Sequence, residues 1–357
     1  MPERLQYHFE PRKGWMNDPN GLCYFKGRYH AFFQHYPHAP QWGQMHWGHA
    51  VSEDLIHWEE LPIALYPDQP YEDLGGCFSG SAVEKDGKLW LFYTSVSKAL
   101  GQTQSAAVSE DGLHFTKLPE NPLIPHFPPA GSEDFRDPKV SFLHGKWTMV
   151  CGSGKDGEGR ILFFTSDDLI HWEDRGVLFA DASCGPVLEC PDLFELDGKT
   201  VLMFSKMGLE TYNTQFVIGS FDGERFTEEA RCTPEAGPQF YAPQTFRAPD
   251  GRRILIAWLY DWKKPLDEGA DYAGALTLPR ELRLDGARVL TRPVAEAAPL
   301  LREADPLVRP EGETLIVDGR AIPMGEKIGK LEILRDTKTL EIFVNGGSRC
   351  VSYWFGR

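Results

Sequence analysis

The chain has 357 residues, of which 41% are hydrophobic and 25% are charged, an ordinary composition for a globular protein. Its formal net charge of −15 argues against binding to nucleic acid or to anionic membranes, because both are polyanionic. The seven cysteines contain no Cys-x-x-Cys pair, which argues against a disulfide framework. Residues 1–7 have no apolar signal region and no apolar run approaches the ~18 residues of a membrane span, so we expect a cytoplasmic protein.

A seven-residue segment recurs four times along the chain. Each copy has a serine, an aspartate two positions later and an aromatic residue four positions after that; the copies occupy 52–58, 109–115, 166–172 and 220–226. They begin 57, 57 and 54 residues apart. Serine and aspartate side chains bond nearby backbone groups and start turns, and strand-like runs precede each copy. About four strands per repeat at this period is typical of propeller blades.

A fifth group of strands follows the fourth copy. The clearest is the apolar run at 254–258, within a stretch from residue 241 to 284. We therefore predict an all-β fold, a five-bladed β-propeller. The alternative is a β-sandwich in which the copies resemble one another by coincidence, since a sandwich does not require a fixed long period.

The composition changes after Pro293. Residues 295–302 are typical of a short helix or linker, and three strand-like runs follow at 330–334, 340–344 and 350–355. We predict a propeller domain at 1–293 and a small β appendage at 294–357. About sixty residues are few for an independently stable domain.

Three acidic residues lie at similar distances before the turn aspartates of three blades. Asp18, Asp137 and Glu189 precede them by 36, 31 and 33 residues. Each has a proline one or two positions later, as expected for an edge strand that faces the central channel. We expect the three carboxylates to converge at one mouth of the channel, with Arg136, beside Asp137, holding a carboxylate ionised by charge pairing. Paired carboxylates of this kind suit glycoside hydrolysis; the alternative is ordinary turn or salt-bridge contacts.

Six segments in chain order resemble the family 32 glycoside hydrolases, which include invertases, inulinases, levanases and sucrose-6-phosphate hydrolases. The segments lie at 15–21 (WMNDPNG), 41–49 (QWGQMHWGH), 78–81 (FSGS), 136–138 (RDP), 189–192 (ECPD) and 240–246 (FYAPQTF). The resemblance covers roughly residues 5 to 295. It implies a five-bladed propeller with a funnel-shaped site and a retaining mechanism.

The resemblance also implies roles for the three acids. Asp18 would be the nucleophile, with a low pKa, and Glu189 the acid/base. Asp137 would stabilise the transition state by bonding fructose hydroxyls. The carboxyl groups of Asp18 and Glu189 would lie about 5–5.5 Å apart, the separation of retaining enzymes.

The resemblance also implies the remaining site residues, which occupy positions that match the family's motifs. Amide, guanidinium and hydroxyl groups bond sugar hydroxyls, and aromatic faces stack on sugar C–H surfaces. The predicted substrate-binding residues are Asn17, Gln34, Trp42, Phe78, Ser79, Arg136, Tyr241 and Trp258.

Other residues that suggest a functional site have simpler explanations. His46 and His49 suggest a metal site, but no third ligand has matching spacing and the chemistry needs no metal or cofactor, so we predict neither. Cys190 follows the acid/base, but no base is paired with it. Lysines 206, 263 and 264 are candidates for contact with a substrate phosphate; solvated surface charges are the alternative.

The chain departs from the family at its C-terminus. The family usually ends in a two-sheet β-sandwich far longer than the ~60 residues here, so we interpret residues 294–357 as a shortened remnant. We expect the active site to lie wholly in the propeller. The oligomeric state is not predictable from the sequence.

The predicted function is a β-fructofuranosidase that acts on sucrose, sucrose 6-phosphate or short fructo-oligosaccharides. One alternative is a fructosyltransferase that uses the same covalent intermediate. The other is a sugar-binding propeller without catalytic activity, which the presence of all three acids disfavours.

Overall fold

A computed structural model describes residues 3–208, 213–259, 262, 266 and 269–355 of the chain. Within these residues it contains 28 β-strands and three short 3-10 helices, at Pro70–Glu72, Ala182–Cys184 and Ala295–Leu300. No helix among them is long and apolar enough to cross a membrane. The all-β prediction is confirmed.

Five β-sheets form the blades. The four strands of each blade follow one another in the chain, except that β19 (Tyr272–Ala273) lies between two strands of the fifth blade. The first two blades contain β1 (Gly14–Phe25), β2 (Arg28–Tyr36), β3 (His46–Ser52), β4 (Trp58–Leu65), β5 (Gly76–Lys85), β6 (Lys88–Ser97), β7 (Gly101–Ser109) and β8 (Thr116–Lys117). The third and fourth contain β9 (Phe135–Leu143), β10 (Lys146–Lys155), β11 (Glu158–Ser166), β12 (Glu173–Asp181), β13 (Leu188–Leu196), β14 (Lys199–Lys206), β15 (Thr214–Phe221) and β16 (Phe226–Cys232). The fifth contains β17 (Tyr241–Arg247), β18 (Arg253–Trp258), β20 (Arg280–Asp285) and β21 (Arg288–Pro293).

The blades close into a ring. The innermost strands β1, β5, β9, β13 and β17 contact one another in that order, and β17 contacts β1 in turn. A short strand β19 (Tyr272–Ala273), from the region of the fifth blade, pairs in parallel with the start of β1 and joins the last blade to the first. The five-bladed propeller is therefore confirmed, and the sandwich alternative is wrong.

The repeated segment forms the turn between the third and fourth strands of a blade. In the third copy, Ser166 Oγ accepts the backbone N–H of Leu169 at 2.9 Å. Asp168 Oδ1 accepts the N–H groups of Ile170 and His171 at 2.9 and 2.8 Å. Because the serine and aspartate satisfy three donors that lack ladder partners, the chain reverses tightly and the fourth strand begins after the aromatic residue.

The segment after Pro293 has more strands than expected. Strands stand at the three predicted places: β26 (Leu331–Arg335), β27 (Thr339–Val344) and β28 (Arg349–Trp354). Four further strands are short, with two to four residues each: β22 (Leu301–Arg302), β23 (Val308–Glu311), β24 (Thr314–Val317) and β25 (Arg320–Pro323). They form a four-stranded sheet, β22-β26-β27-β28, and a three-stranded sheet, β23-β24-β25. The domain division at residue 293 stays a prediction.

A buried ion network joins these sheets to the propeller; we use this name for His8, Glu235, Arg280, Asp336 and Glu341. Arg280 Nη1 donates to Glu235 Oε2 at 2.7 Å and Nε donates to Glu341 Oε2 at 3.0 Å. The His8 ring lies 2.8 Å from Asp336 Oδ2 through Nδ1 and 2.8 Å from Glu341 Oε1 through Nε2. All five side chains are nearly or fully buried. Buried charges are tolerated only when paired, so the network holds the N-terminal segment, the fifth blade and β27 together.

We expect the stability of the fold to fall as the pH rises through the titration of His8. Burial lowers its pKa, but the hydrogen bonds to Asp336 and Glu341 outweigh burial and raise the pKa to about 9. Charged His8 therefore stabilises the fold fully below its unfolded pKa of ~6.5, and that contribution is lost as the pH rises through 9. The melting temperature should decline between pH 7 and 9.5, and less steeply in His8→Gln. Equal declines in both proteins would contradict this role.

Candidate active site

All eleven residues predicted from the sequence line one cavity of about 580 Å³ at the inner strands of the blades. They are Asn17, Asp18, Gln34, Trp42, Phe78, Ser79, Arg136, Asp137, Glu189, Tyr241 and Trp258. Ten of these come from strands of the propeller, and Trp42 lies on the segment between β2 and β3. The structure thus brings together groups that are up to 241 residues apart in the sequence.

A β-bulge recurs in the inner strand of every blade and builds this cavity. At each bulge two residues of the inner strand oppose one residue of the second strand. The bulged pairs are Asn17–Asp18, Phe78–Ser79, Asp137–Pro138, Cys190–Pro191 and Ala242–Pro243. The inner-strand residues that line the cavity lie in these bulges or directly before them: Asn17, Asp18, Phe78, Ser79, Arg136, Asp137, Glu189 and Tyr241.

The bulge also changes the register expected for the three acids. If the last paired residue before the bulge is position one, Glu189 is at position one, Asp137 at position two and Asp18 at position three. The expectation of equivalent positions is therefore only approximate. Asp137 has a left-handed backbone with φ of 63°. Such strained conformations persist where the surrounding structure holds them, often at functional sites.

The Asp18 carboxylate lies among donors and acids. Ser79 Oγ donates to its Oδ2 at 2.6 Å, and Asn17 Nδ2 donates to its Oδ1 at 3.1 Å. Burial raises the pKa of Asp18, and the charge of Glu189 raises it further, while the Ser79 and Asn17 bonds lower it. The expected low pKa is therefore wrong, because two hydrogen bonds do not offset burial beside another carboxylate.

Asp137 is a buried carboxylate held by backbone. The N–H of Cys190 donates to its Oδ2 at 2.9 Å. Burial raises the pKa of Asp137 to about 7; the Arg136 charge opposes this, and the charges of Glu189 and Asp18 add to it. The expected pairing of Arg136 with a carboxylate is present, but its partners are Glu189 and Asp134, so burial outweighs the Arg136 charge at Asp137.

Glu189 is one of the acids that the Arg136 guanidinium contacts. Arg136 Nε lies 3.0 Å from Glu189 Oε1, and Arg136 Nη1 donates to Asp134 Oδ1 at 2.6 Å. The Tyr241 hydroxyl donates to the other carboxylate oxygen, Glu189 Oε2. Each oxygen of Glu189 thus has a donor, which orients the partly buried carboxyl group toward the cavity.

Aromatic side chains supply the apolar walls. Trp258 is fully buried, with its ring 5.7 Å from that of Trp15 in an edge-on arrangement. Trp42 is 49% exposed and contacts Phe78 edge-on at 6.0 Å. Gln34 is anchored by a 2.9 Å bond from Nε2 to the carbonyl of Cys77. The cavity therefore has a polar acidic floor and one open aromatic edge, a combination suited to a sugar.

Seven further lining residues have no motif that marks them. They are Met207, Gly208, Asn213, Pro238, Gln239, Trp262 and Arg320. Arg320 begins β25 in the C-terminal segment, so the expectation that the site lies wholly in the propeller is wrong. Lys206 does not line the described part of the cavity, and lysines 263 and 264 lie outside the described residues.

The histidine and cysteine signals have structural explanations. The His49 ring stacks on Phe32 at 4.1 Å and bonds His30 at 3.0 Å, and His46 bonds the carbonyl of Gln44. Across the described part of the chain, no three histidine, cysteine, aspartate or glutamate side chains lie close enough together to hold a metal ion. Burial raises the pKa of the Cys190 thiol well above its usual range, which opposes formation of the nucleophilic thiolate.

The chain was compared with protein families and with known proteins. The family model "Glycosyl hydrolases family 32 N-terminal domain" matches residues 8–293. A sucrose-6-phosphate hydrolase of Escherichia coli is 42% identical over 318 residues, which are 83% of this chain and 66% of that protein. A raffinose invertase of Escherichia coli is 39% identical over 335 residues, 87% of this chain and 69% of that protein.

A solved structure is similar over nearly the whole chain. It is a variant of a Bombyx mori family 32 β-fructofuranosidase in complex with sucrose, with a TM-score of 0.87, 32% identity and coverage of 99% of this chain and 89% of that one. The chain spans between 63% and 66% of the length of three of the sucrose-6-phosphate hydrolases that it matches.

Proposed function

Because this chain belongs to glycosyl hydrolase family 32, we propose that it is a β-fructofuranosidase. It releases terminal non-reducing β-D-fructofuranosyl groups from sucrose, sucrose 6-phosphate or short fructo-oligosaccharides. The strongest support for this proposal is that Asp18, Asp137 and Glu189 line one cavity with aromatic walls. The names of the similar proteins, sucrose-6-phosphate hydrolase and raffinose invertase, agree with this substrate class.

Asp18 is the proposed nucleophile. Ser79 and Asn17 each donate a hydrogen bond to its carboxylate, which favours the ionised form and orients it. Its oxygen attacks the anomeric carbon C2 of the fructosyl group. A bond forms between that oxygen and C2 while the bond from C2 to the glycosidic oxygen breaks, giving a covalent fructosyl-enzyme.

Glu189 is the proposed acid/base. Its proton moves to the departing glycosidic oxygen, so the leaving sugar departs as a neutral alcohol. The resulting Glu189 carboxylate then takes a proton from water, and the water oxygen replaces Asp18 on C2. Arg136 and Tyr241 hold the two carboxyl oxygens in place during both steps. The separation of 5–5.5 Å between the two reacting carboxyl groups stays a prediction.

Asp137 is the proposed stabiliser of the transition state. Its Oδ2 is committed to the N–H of Cys190, and its carboxyl group lines the cavity beside the other two acids. It therefore accepts hydrogen bonds from fructose hydroxyls as positive charge develops on the ring. Gln34, Trp42, Phe78 and Trp258 form the rest of the proposed fructose pocket.

We expect Ser79→Ala to shift the acidic limb of the pH profile of kcat/KM to higher pH. The Ser79 bond lowers the pKa of Asp18, so its loss raises that pKa, and ionised Asp18 is then lost at a higher pH. The variant should lose activity several-fold at low pH and less at neutral pH. The measurement is kcat/KM for sucrose from pH 4 to 8. An unchanged acidic limb would show that Ser79 does not control the ionisation of Asp18.

The test of the proposed function is release of fructose from sucrose, sucrose 6-phosphate and a fructo-oligosaccharide, with the glucose released from sucrose measured as well. Equal amounts of both sugars from sucrose indicate hydrolysis, and an excess of glucose over fructose indicates the alternative, fructosyl transfer. In added methanol, NMR should detect the methyl β-fructofuranoside that retention requires. Binding of sucrose with no product from any substrate would favour the sugar-binding alternative. The cytoplasmic location stays a prediction.

A further inference from the structure

The C-terminal segment supplies one wall of the cavity. Arg320 is the first residue of β25 and lines the cavity beside residues of the propeller. The loop before β17 provides Pro238 and Gln239 to the same wall. That loop is fastened to the C-terminal sheet, since the N–H of Ala236 donates to the carbonyl of Cys350 at 2.8 Å and Gln239 Oε1 accepts the N–H of Trp354 at 3.1 Å.

The hairpin that carries Arg320 is well anchored. Strands β24 and β25 are joined by Asp318 and Gly319, both with left-handed backbones, φ of 49° and 78°. This is the two-residue turn that Asp-Gly favours in hairpins. On β24, Leu315 and Val317 are completely buried in the apolar core of the C-terminal sheets. The start of β25 is therefore held in a defined place at the edge of the cavity.

Arg320 is also the cation of the described cavity lining that has no acidic partner. The other lining cation, Arg136, is paired with Glu189 and Asp134. Arg320 is exposed and makes no ion pair or side-chain hydrogen bond within the described residues. The three carboxylates are buried or partly buried, whereas Arg320 is exposed. Its guanidinium is therefore available to a part of the substrate that extends out of the cavity.

We propose that Arg320 is a specificity-determining residue that binds a phosphate on the leaving sugar, and so favours sucrose 6-phosphate over sucrose. This inference rests on the proposed function. A phosphate carries between one and two negative charges at neutral pH, and it would enter a cavity with three acids on a chain of net charge −15. An arginine that has no acidic partner in the described part of the chain offsets that repulsion and donates paired hydrogen bonds to phosphate oxygens.

The experiment compares kcat/KM for the two substrates in the wild-type protein, Arg320→Gln and Arg320→Lys. We expect the ratio of sucrose 6-phosphate to sucrose to fall about tenfold in Arg320→Gln, the order expected for loss of one charge-assisted contact. Arg320→Lys should retain part of the preference. The matched control is Arg309→Gln, in β23 of the same sheet, whose side chain is exposed and pairs with Glu311. It should leave the ratio unchanged.

Two outcomes would overturn the proposal: an unchanged ratio in Arg320→Gln, or an equal loss on both substrates. Titration calorimetry measures the affinity of each protein for both sugars, and so tests binding independently of catalysis. If the wild-type protein hydrolyses neither sugar, the proposed function fails. The affinity for sucrose 6-phosphate must then still fall in Arg320→Gln but not in Arg309→Gln. An unchanged affinity would reject Arg320 as the phosphate contact.

Discussion

Replacing Asp18 by asparagine is expected to lower kcat for sucrose by about 10⁴-fold or more, the scale seen when an enzyme loses its nucleophile. The amide keeps the shape of the side chain, but its NH2 group cannot accept one of the two hydrogen bonds that Ser79 and Asn17 donate to the carboxylate, and it cannot form the covalent intermediate. Asp18→Ala should show the same loss and cannot regain an acid by deamidation. Asp167→Asn is the matched control, because Asp167 is an exposed aspartate of the third repeated turn. It should keep kcat within about twofold.

The same variant should not be less stable than the wild-type protein. A carboxyl group whose pKa is raised by burial destabilises the folded state at every pH above its unfolded value of ~3.9. Burial and the charge of Glu189 act on Asp18 in this direction. The melting temperature of Asp18→Asn at pH 7 should therefore equal or exceed that of the wild-type protein. Full activity in the variant, or loss of activity only through unfolding, would exclude Asp18 as the nucleophile.

Replacing Arg280 by methionine is expected to lower the free energy of unfolding by about 3–5 kcal/mol, the usual cost of breaking a buried ion pair. Arg280 pairs with both Glu235 and Glu341, and its Nη2 donates to Ser352 Oγ at 2.7 Å. Its removal takes away the cation that Glu235 and Glu341 share and leaves Glu341 paired with His8 alone. The measurement is urea unfolding at pH 7.

The matched control for this prediction lies three residues further along the same strand. Arg283 is 50% exposed and pairs with Glu281 and Asp197 at the surface. Arg283→Met should change the free energy of unfolding by less than about 1 kcal/mol, because exposed ion pairs contribute little. Similar losses in the two variants would show that the buried ion network has no special role in stability.

The network also connects stability with the site. Glu235 belongs to the loop that forms one cavity wall, and the next strand begins with Tyr241, which contacts Glu189. The Oε1 atom of Glu235 accepts the N–H of Ser352 at 2.7 Å. The C-terminal sheet therefore positions residues of the cavity although it lies outside the repeats.

The fold was predictable because its signals are local and repeated. The serine and aspartate of the repeated turn bond groups within three residues of themselves, so the same short pattern gives the same reversal in four of the blades. Asp-Gly pairs at 86–87 and 197–198 likewise mark hairpins that the structure contains. All eleven predicted site residues share one cavity, because the motifs that contain them lie at or beside inner strands.

Other features depend on partners that are distant in sequence, and only the tertiary structure decided them. Arg136 is adjacent to Asp137 in the chain, yet its guanidinium bonds Glu189 from the next blade. The raised pKa of Asp18 comes from burial near an acid 171 positions away, which no local pattern reports. Arg320 reaches the cavity because Leu315 and Val317 pack its hairpin into the C-terminal core. Local backbone chemistry determines turns and strands, whereas charge pairing, burial and cavity walls are set by which surfaces meet when the blades and the C-terminal sheets pack.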